Sequence, residues 1–313
     1  MTKVPKWNAF EHQAYRLWKS KRTGESLWLI AASGGLDSMV LMQLALQLRV
    51  ALGFQFRVVH FHHGLSTSKK TNSYREKAQK SVALWCRKNG VEFLTNHPTL
   101  EKGQSEESLR DARYGFFRTM RKPKEWLVTA HHASDLFETR VLRLLRGVGP
   151  QGLEAMTLVD KKALLLRPLL LFSREELEVY AKERKLSFVQ DPSNATEDYL
   201  RNWLRHTWLK SLEKKSPGSV KAFARSLEAI SASVETKKPR RVTKIARKTW
   251  SRLSENEQKS RLAQFLRQND VKGYGQTHIE ELVKRLDTRR KRLTFELLGR
   301  TWLLDPQHLS MLS

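Results

Sequence analysis

Cysteine is almost absent: Cys86 is the only one in 313 residues. A lone thiol excludes an internal disulfide and any cysteine-rich zinc or iron–sulfur centre, and it points to a reducing, cytoplasmic compartment. Long apolar runs are missing as well. The longest, Ala163 to Phe172, is broken by Arg167-Pro168 and is too short to span a bilayer, so no membrane association is expected. Met1 to Lys19 mixes charge with Trp and His and has no apolar h-region, so no secretion signal is expected either. Internal repeats are not visible. Acidic residues are scarce beside the basic ones: 32 Asp+Glu face 58 Lys+Arg, a formal net charge of +26, with a pI near 10.3. That excess spreads along the whole chain, which implies a polyanionic partner, nucleic acid rather than membrane.

The length predicts two domains. Short β-rich runs at Leu27–Ala32, Phe56–His60, Val91–Asn96, Trp126–Thr129 and Leu164–Leu166 alternate with helical patterns at Ser38–Leu48, Lys70–Lys88, Glu106–Met120 and Asp135–Leu145. This alternation predicts an α/β fold, a doubly wound parallel sheet with ligands at the carboxyl ends of its strands. Helical patterns follow from about Arg174 to Lys185 and from Tyr199 to Leu212. Lys, Ser, Pro and Gly then cluster over Glu213–Ser219, which places the boundary between a catalytic domain, 1–212, and a smaller, mainly helical basic domain, 213–313. The second domain carries Lys237, Lys238, Arg240, Arg241, Lys244, Arg247 and Lys248 with no acid among them, and the cluster Arg289-Arg290-Lys291-Arg292 after the periodic stretch His278 to Leu286.

The segment richest in chemistry is Ser33-Gly34-Gly35-Leu36-Asp37-Ser38, directly after the apolar run Leu27–Ala32. A strand that stops at Ser-Gly-Gly and restarts as a helix presents backbone N–H groups to an anion, assisted by the helix dipole. Two glycines let the main chain approach a phosphate, and the Ser33 and Ser38 hydroxyls add donors. No lysine stands at the helix start, so this is not a Walker A loop. The plain alternative is an ordinary glycine-rich turn. Four further segments sit at strand ends or helix starts. Val58-Val59-His60-Phe61-His62-His63-Gly64-Leu65 lacks cysteine or carboxylate partners at ligand spacing, which argues against zinc. Glu106, Arg110, Arg113 and Tyr114 share a helix face, either as a solvated surface or, since arginine suits bidentate phosphate contact, as an anion site. In Thr129-Ala130-His131-His132-Ala133-Ser134-Asp135-Leu136-Phe137-Glu138-Thr139, the acids Asp135 and Glu138 fall in a first helical turn. There they either favour the dipole or face the crevice, ready for an ammonium group or Mg²⁺. Asp191-Pro192-Ser193-Asn194, with Arg201-Asn202 and Arg205 following, reads as a turn before a helix.

In this order, the S-G-G-x-D-S loop, H-x-x-H-G-L, E-x-x-x-R-x-x-R-Y, T-A-H-H-A-x-D-x-x-E-T, L-L-R-G-x-G, R-P-L-L and D-P-S-N…R-N make the chain resemble the tRNA(Ile)-lysidine synthases, which belong to the PP-loop or N-type ATP pyrophosphatases. The resemblance runs from about Leu27 to Arg205, with fainter similarity near the end, and suggests a short form without a second C-terminal domain. Ser66 where the family usually has Arg, and Arg140 where an aliphatic is commoner, depart from the pattern. The resemblance implies that ATP bound on Ser33–Ser38 adenylates the wobble cytidine of a CAU anticodon in tRNA(Ile), releasing pyrophosphate. The L-lysine side-chain amine would then displace AMP from C2, giving lysidine and changing codon reading from AUG to AUA. It further implies Asp37 as a Mg²⁺ contact, Asp37, Asp135 and Glu138 as catalytic carboxylates, with the last two gripping lysine, and a homodimer. Arg110, Arg113, His131, His132 and Arg205 would be substrate or phosphate contacts, and the basic second domain would hold the tRNA. Rival readings are a PP-loop tRNA thiolase, which usually needs two cysteines; an ammonia-using synthetase, which gives the basic domain no purpose; and a non-catalytic RNA-binding protein, which leaves Asp37, Asp135 and Glu138 unexplained.

Overall fold

The computed structural model describes residues 7–20, 27–66, 68–96, 106–148, 150–191, 200–233, 244–269, 271, 273–287 and 292–312. The chain separates into two compact units: residues 1–138 with 156–218, and residues 139–155 with 219–313. A single cut at 213 therefore misses one exchange: the stretch 139–155 joins the C-terminal unit.

The first unit is built on a six-stranded sheet in the order β3-β2-β1-β4-β6-β5. Its strands are β1 (Leu27–Ala31), β2 (Gln55–His60), β3 (Phe93–Thr95), β4 (Trp126–Val128), β5 (Val159–Asp160) and β6 (Leu165–Leu166). All pairings are parallel except β5 with β6. The central strand β1 reads Leu-Trp-Leu-Ile-Ala, apolar without alternation, because helices cover both of its faces. α2 (Leu36–Leu52) is buried nearly all round and stops at Gly53, whose left-handed backbone (φ 68°) lets its N–H reach the Arg49 carbonyl. α3 (Lys69–Lys88), α4 (Glu106–Met120), α5 (Ala133–Leu145) and α6 (Arg174–Glu183) follow the successive strands. β1 pairs with β2 on one side and β4 on the other, so the chain's direction of travel across the sheet reverses between β1 and β4. A crevice opens outside their carboxyl ends at such a reversal.

α1 (Ala9–Ser20) precedes the sheet and is held by a buried charge, not an apolar stripe alone. Glu11 is fully buried, accepts the Tyr180 hydroxyl at 2.8 Å and pairs with Arg184. The helical pattern expected over Tyr199–Leu212 forms as α7 (Leu200–Trp203), a π-helical turn Leu204–Trp208 and α8 (Leu209–Lys215). Among the described residues no helix is long and apolar enough to cross a membrane.

The second unit contains α9 (Ser219–Ala232), the short α10 (Arg247–Trp250), α11 (Glu255–Gln268) and α12 (Gln276–Leu286). It also contains a four-stranded antiparallel sheet, β7-β10-β9-β8, where β7 is Lys244–Ala246, β8 Leu293–Leu297, β9 Arg300–Leu304 and β10 His308–Leu312. Trp250, Leu262, Phe265, Leu282, Trp302 and Leu304 form its core. This sheet is an addition to the helical expectation. Its signal lies in alternating Phe295, Trp302, Leu304 and Leu309 around the tight turn at Leu298-Gly299, where both residues have positive φ. Lys237, Lys238, Arg240, Arg241, Arg289, Arg290 and Lys291 lie outside the described residues, as do Pro192, Ser193 and Asn194.

The two departures from the family pattern have local causes. Ser66 exchanges backbone hydrogen bonds with the Asn72 amide at 2.7 and 2.8 Å and so helps start α3. Arg140 is buried, donates to the Leu153 carbonyl at 3.0 Å and pairs with Glu228, all inside the second unit.

Candidate active site

The turn Ser33–Ser38 joins β1 to α2 in the crevice. Gly34 has φ +84°, and a Cβ there would meet the Ala78 carbonyl oxygen at 3.0 Å and the Ala78 Cα and Cβ at 3.1 Å, so only glycine fits. Ser38 Oγ accepts the Gly34 N–H at 3.1 Å and donates to the Gly35 carbonyl at 2.9 Å, while Ser33 Oγ accepts the Gly35 N–H at 3.3 Å. The two hydroxyls thus also shape the turn by taking its amides, and the Ser38 proton is spent on the Gly35 carbonyl. What α2 offers an anion is its own first turn. Gly35 is an N-cap without a side chain, and the N–H groups that follow have no preceding helical carbonyl to bond.

Three helix starts bring the carboxylates together. Asp37 lies in the first turn of α2, Asp135 in that of α5, and α6 begins beside them because the Ala133 N–H bonds the Phe172 carbonyl at 2.9 Å. His132 links the acids. Its Nδ1 accepts the Ser134 N–H at 3.3 Å, which leaves Nε2 to donate toward the acids, 3.5 Å from Asp135 Oδ2 and 3.9 Å from Asp37 Oδ1. Asp135 Oδ2 also accepts the His132 N–H at 3.0 Å. Burial alone would raise the Asp135 carboxyl, but His132, that backbone N–H, His131 and Arg205 together hold it below its usual value.

Arg205 sits on the acids, not open to phosphate as expected. Its Nε and Nη2 grip Glu138 at 2.6 and 2.8 Å, and Nη2 lies 3.4 Å from Asp135 Oδ1. Burial lowers Arg205, yet Glu138, Asp135 and Asp37 more than offset it and raise its pKa. The Glu138 side chain is only 2% exposed, and Arg201 Nε approaches it at 3.7 Å. The pair Asp135–Glu138 is therefore an acidic pocket already occupied by a guanidinium. The π-helical turn containing Arg205 delivers it there, a feature often found at functional sites.

A cationic group flanks this pocket. The Arg110 and Arg113 guanidinium carbons stand 5.1 and 5.8 Å from the Tyr114 ring centroid. His131 Nδ1 lies 2.8 Å from Thr129 Oγ1. His131 is pushed down to about 4 by burial, then by Arg167, Arg110 and Arg113, with Asp135 opposing. His63 is likewise pushed to about 4 by burial, Arg113, Arg75 and His60. His60 is pushed to about 4 by burial, and its Nδ1 bonds the Ala32 carbonyl at 2.8 Å just before the turn. All three rings are neutral at pH 7. Arg167 belongs here too and was not singled out from sequence; its Nε is buried without a hydrogen-bond partner. Arg174, also unpredicted, pairs with Asp37 Oδ1 at 2.5 Å.

Among the described residues, no group of three or more His, Cys, Asp or Glu side chains could hold a metal ion unaided. That suits Mg²⁺, which keeps most of its waters and is commonly held by one or two carboxylates plus substrate phosphates. Asp37, a partly exposed carboxylate beside an anion-binding helix start, fits this donor set.

Sheet order, turn and crevice together define a PP-loop α/β domain, and the model of the PP-loop domain family matches residues 8–212. Over 97% of both chains, the sequence is 35% identical to a tRNA(Ile)-lysidine synthase of Bdellovibrio bacteriovorus. It is 37% and 41% identical to tRNA(Ile)-lysidine synthases of Pseudomonas putida and Photorhabdus laumondii, over 65% and 63% of this chain. Those matches cover 47% and 45% of the relatives, so the aligned part spans under half of their length. The chain belongs to the tRNA(Ile)-lysidine synthase family. Among solved structures, a U34-tRNA thiolase of Methanococcus maripaludis superimposes with a TM-score of 0.55 over 72% of this chain and 80% of that one, at 16% identity, a likeness of fold alone.

Proposed function

We propose that this protein is a cytoplasmic enzyme that joins L-lysine to C2 of the wobble cytidine in the CAU anticodon of tRNA(Ile), with ATP converted to AMP and pyrophosphate. The observation that carries the reading is the convergence of Asp37, Asp135 and Glu138 on one crevice beside the Ser33–Ser38 turn, in a chain akin along nearly its whole length to a synthase of that name.

The first step forms a bond between the cytidine O2 and the α-phosphorus and breaks the α–β phosphoanhydride. Pyrophosphate leaves. The free amides at the start of α2 offset its charge, and Mg²⁺ at Asp37, when bound, adds electrostatic stabilisation of the phosphates. In the second step the lysine amine bonds to C2, the C2–O2 bond breaks and AMP departs. The amine must first lose a proton, from a group whose reference pKa is about 10.4. Before that the ammonium must be gripped, and Asp135 and Glu138 suit the grip. They already hold one organic cation, Arg205, and an ammonium can take its place. His131 stays neutral and adds no charge against that ammonium. The basic C-terminal unit, with Lys244, Arg247, Lys248 and Arg292 among its described cations, is the part suited to tRNA phosphates.

A thiolase reading is disfavoured by Cys86, which is fully buried with its thiol pushed up to about 12 by burial. The test is incubation with ATP, Mg²⁺, labelled lysine and CAU-bearing tRNA transcripts, followed by mild alkali. Label that survives is attached to a base, whereas an aminoacyl ester is stripped. No retained label on any CAU transcript refutes the proposal.

A further inference from the structure

Arg174 makes an i,i+4 pair with Glu178 on its own helix, yet its position, the first residue of α6, sets its charge against the helix dipole. The helix start is already secured by a capping box: Ser173 Oγ accepts the Glu176 N–H at 3.2 Å, and Glu176 Oε2 accepts the Ser173 N–H at 2.7 Å. Arg174 instead reaches out of its helix to Asp37 Oδ1, at 2.5 Å, with Nε on Glu178 Oε1 at 3.0 Å. The framework around it is fixed. Phe172, two residues before, accepts the Ala133 N–H at the start of α5. Val189, beyond α6, donates to the Gly34 carbonyl of the phosphate turn at 3.0 Å. So α2 and α5 each carry one acid in the first turn, and α6, whose first turn also holds Glu175 and Glu176, sets Arg174 beside Asp37.

The side chain itself is not locked. It is 38% exposed, its Asp37 partner 30%, and Glu178 54%. A guanidinium at 2.5 Å from Asp37 Oδ1 weakens that carboxylate's hold on a divalent cation, because the two cations repel at that range. A cation displaced there finds itself beside a triphosphate, whose oxygens suit the planar fork of arginine.

We infer that Arg174 is a phosphate-positioning residue that exchanges partners: it neutralises Asp37 until the metal–nucleotide arrives, then yields Asp37 to the metal and turns its guanidinium to the polyphosphate. The exchange delivers a positive charge to the departing pyrophosphate at the moment the metal site is filled. It also weakens the hold of Asp37 on a divalent ion alone, so that metal and nucleotide enter together. This rests on the reading of Ser33–Ser38 as an ATP site.

The experiment measures two affinities on the full-length protein, with neither tRNA nor lysine present. Binding of Mn²⁺ to nucleotide-free protein is followed by electron paramagnetic resonance, and binding of ATP with Mg²⁺ by calorimetry. Arg174→Gln should tighten Mn²⁺ binding by about threefold to tenfold and weaken ATP binding by about tenfold or more, since it removes a competitor from Asp37 and a fork from the phosphates. Arg174→Lys keeps the charge and loses the fork, so Mn²⁺ binding should stay near that of the parent while ATP binding still weakens. Val179→Ala, at an exposed position of the same helix, controls for the helix surface and should move neither. A residue that only braces α6 would change the melting temperature alone. Mn²⁺ affinity that fails to rise in Arg174→Gln, or ATP affinity within twofold of the parent, overturns the exchange. A parent protein that binds no ATP overturns the reading of the turn, and the exchange with it.

Discussion

Replacing Gly34 by alanine tests the phosphate turn at its tightest point. Gly34 has φ +84°, and an added methyl would meet Ala78 O, Cα and Cβ at 3.0 to 3.1 Å. Keeping the turn as it is would cost about 1–2 kcal/mol for the left-handed backbone and about 1–3 kcal/mol for overpacking. The turn can escape by moving away from α3, which forfeits the Gly34 N–H to Ser38 Oγ bond and the Val189 N–H to Gly34 carbonyl bond. Each is worth about 1 kcal/mol, so displacement, at about 2 kcal/mol, is the cheaper response. The displaced turn should lower the melting temperature by the few degrees that about 2 kcal/mol represents, and ATP binding, which must draw the turn back into its strained position at up to about 3 kcal/mol, should weaken by about tenfold or more. Calorimetry with ATP and hydrogen exchange at the Val189 amide read the two consequences. Adding Ala78→Gly should recover little, because the Ala78 carbonyl oxygen and Cα remain in place. Gly90→Ala is the control: φ is +63° with open space around it, so the backbone strain appears without any effect on ATP. ATP binding within threefold of the parent in Gly34→Ala, or full recovery with Ala78→Gly, would refute the reasoning.

Other parts of the site respond in their own ways. Arg205→Ala leaves Glu138, 2% exposed, without its main partner; it should destabilise the first unit by about 1–3 kcal/mol, discounted because Arg205 itself is 35% exposed. Thermal unfolding of Arg205→Ala and of Arg205→Ala with Glu138→Gln checks this, and an undiminished loss in the double variant speaks against a buried charge as the cause. His60, His63 and His131 have folded pKa values lowered to about 4, so between pH 6.5 and 4 the unfolded chain binds more protons than the folded one. Stability should therefore fall as pH drops through that window and level off below it. NMR titration showing these rings near 6.5 would remove the basis for the prediction. Cys86, fully buried and raised to about 12, should resist thiol reagents in the native protein and react once unfolded; rapid native labelling contradicts the packing around α3.

The first unit was legible because its signals are local and agree. Ser33–Ser38 follows an unbroken apolar strand and precedes an apolar helix, and Asp37 and Asp135 fall in first helical turns; Glu138, expected there too, lies one turn further on because α5 starts at Ala133. α1 was not legible because Glu11 interrupts its buried face, and only Tyr180 and Arg184, far along the chain, make that burial affordable. The C-terminal sheet was hidden by short strands, whose alternation spans five residues at most. Residues 139–155 joined the other unit through Arg140, whose carbonyl and carboxylate partners no local pattern announces. Arg205 was read as a phosphate contact because its type suits one; its seat on Glu138 depends on a π-helical turn that sequence spacing does not reveal. Arg174 was passed over because it read only as the start of a helical pattern, and its pairing with Asp37, far along the chain, leaves no local signal.

The most direct test follows the phosphorus. Protein, Mg²⁺, lysine and a CAU-bearing isoleucine tRNA are mixed with ATP labelled at the α-phosphate, and the products are separated. Labelled AMP in equal amount to lysine retained on the RNA, with pyrophosphate as co-product, is the expected result. Labelled ADP, or AMP released without any lysine joined to the tRNA, would contradict the account.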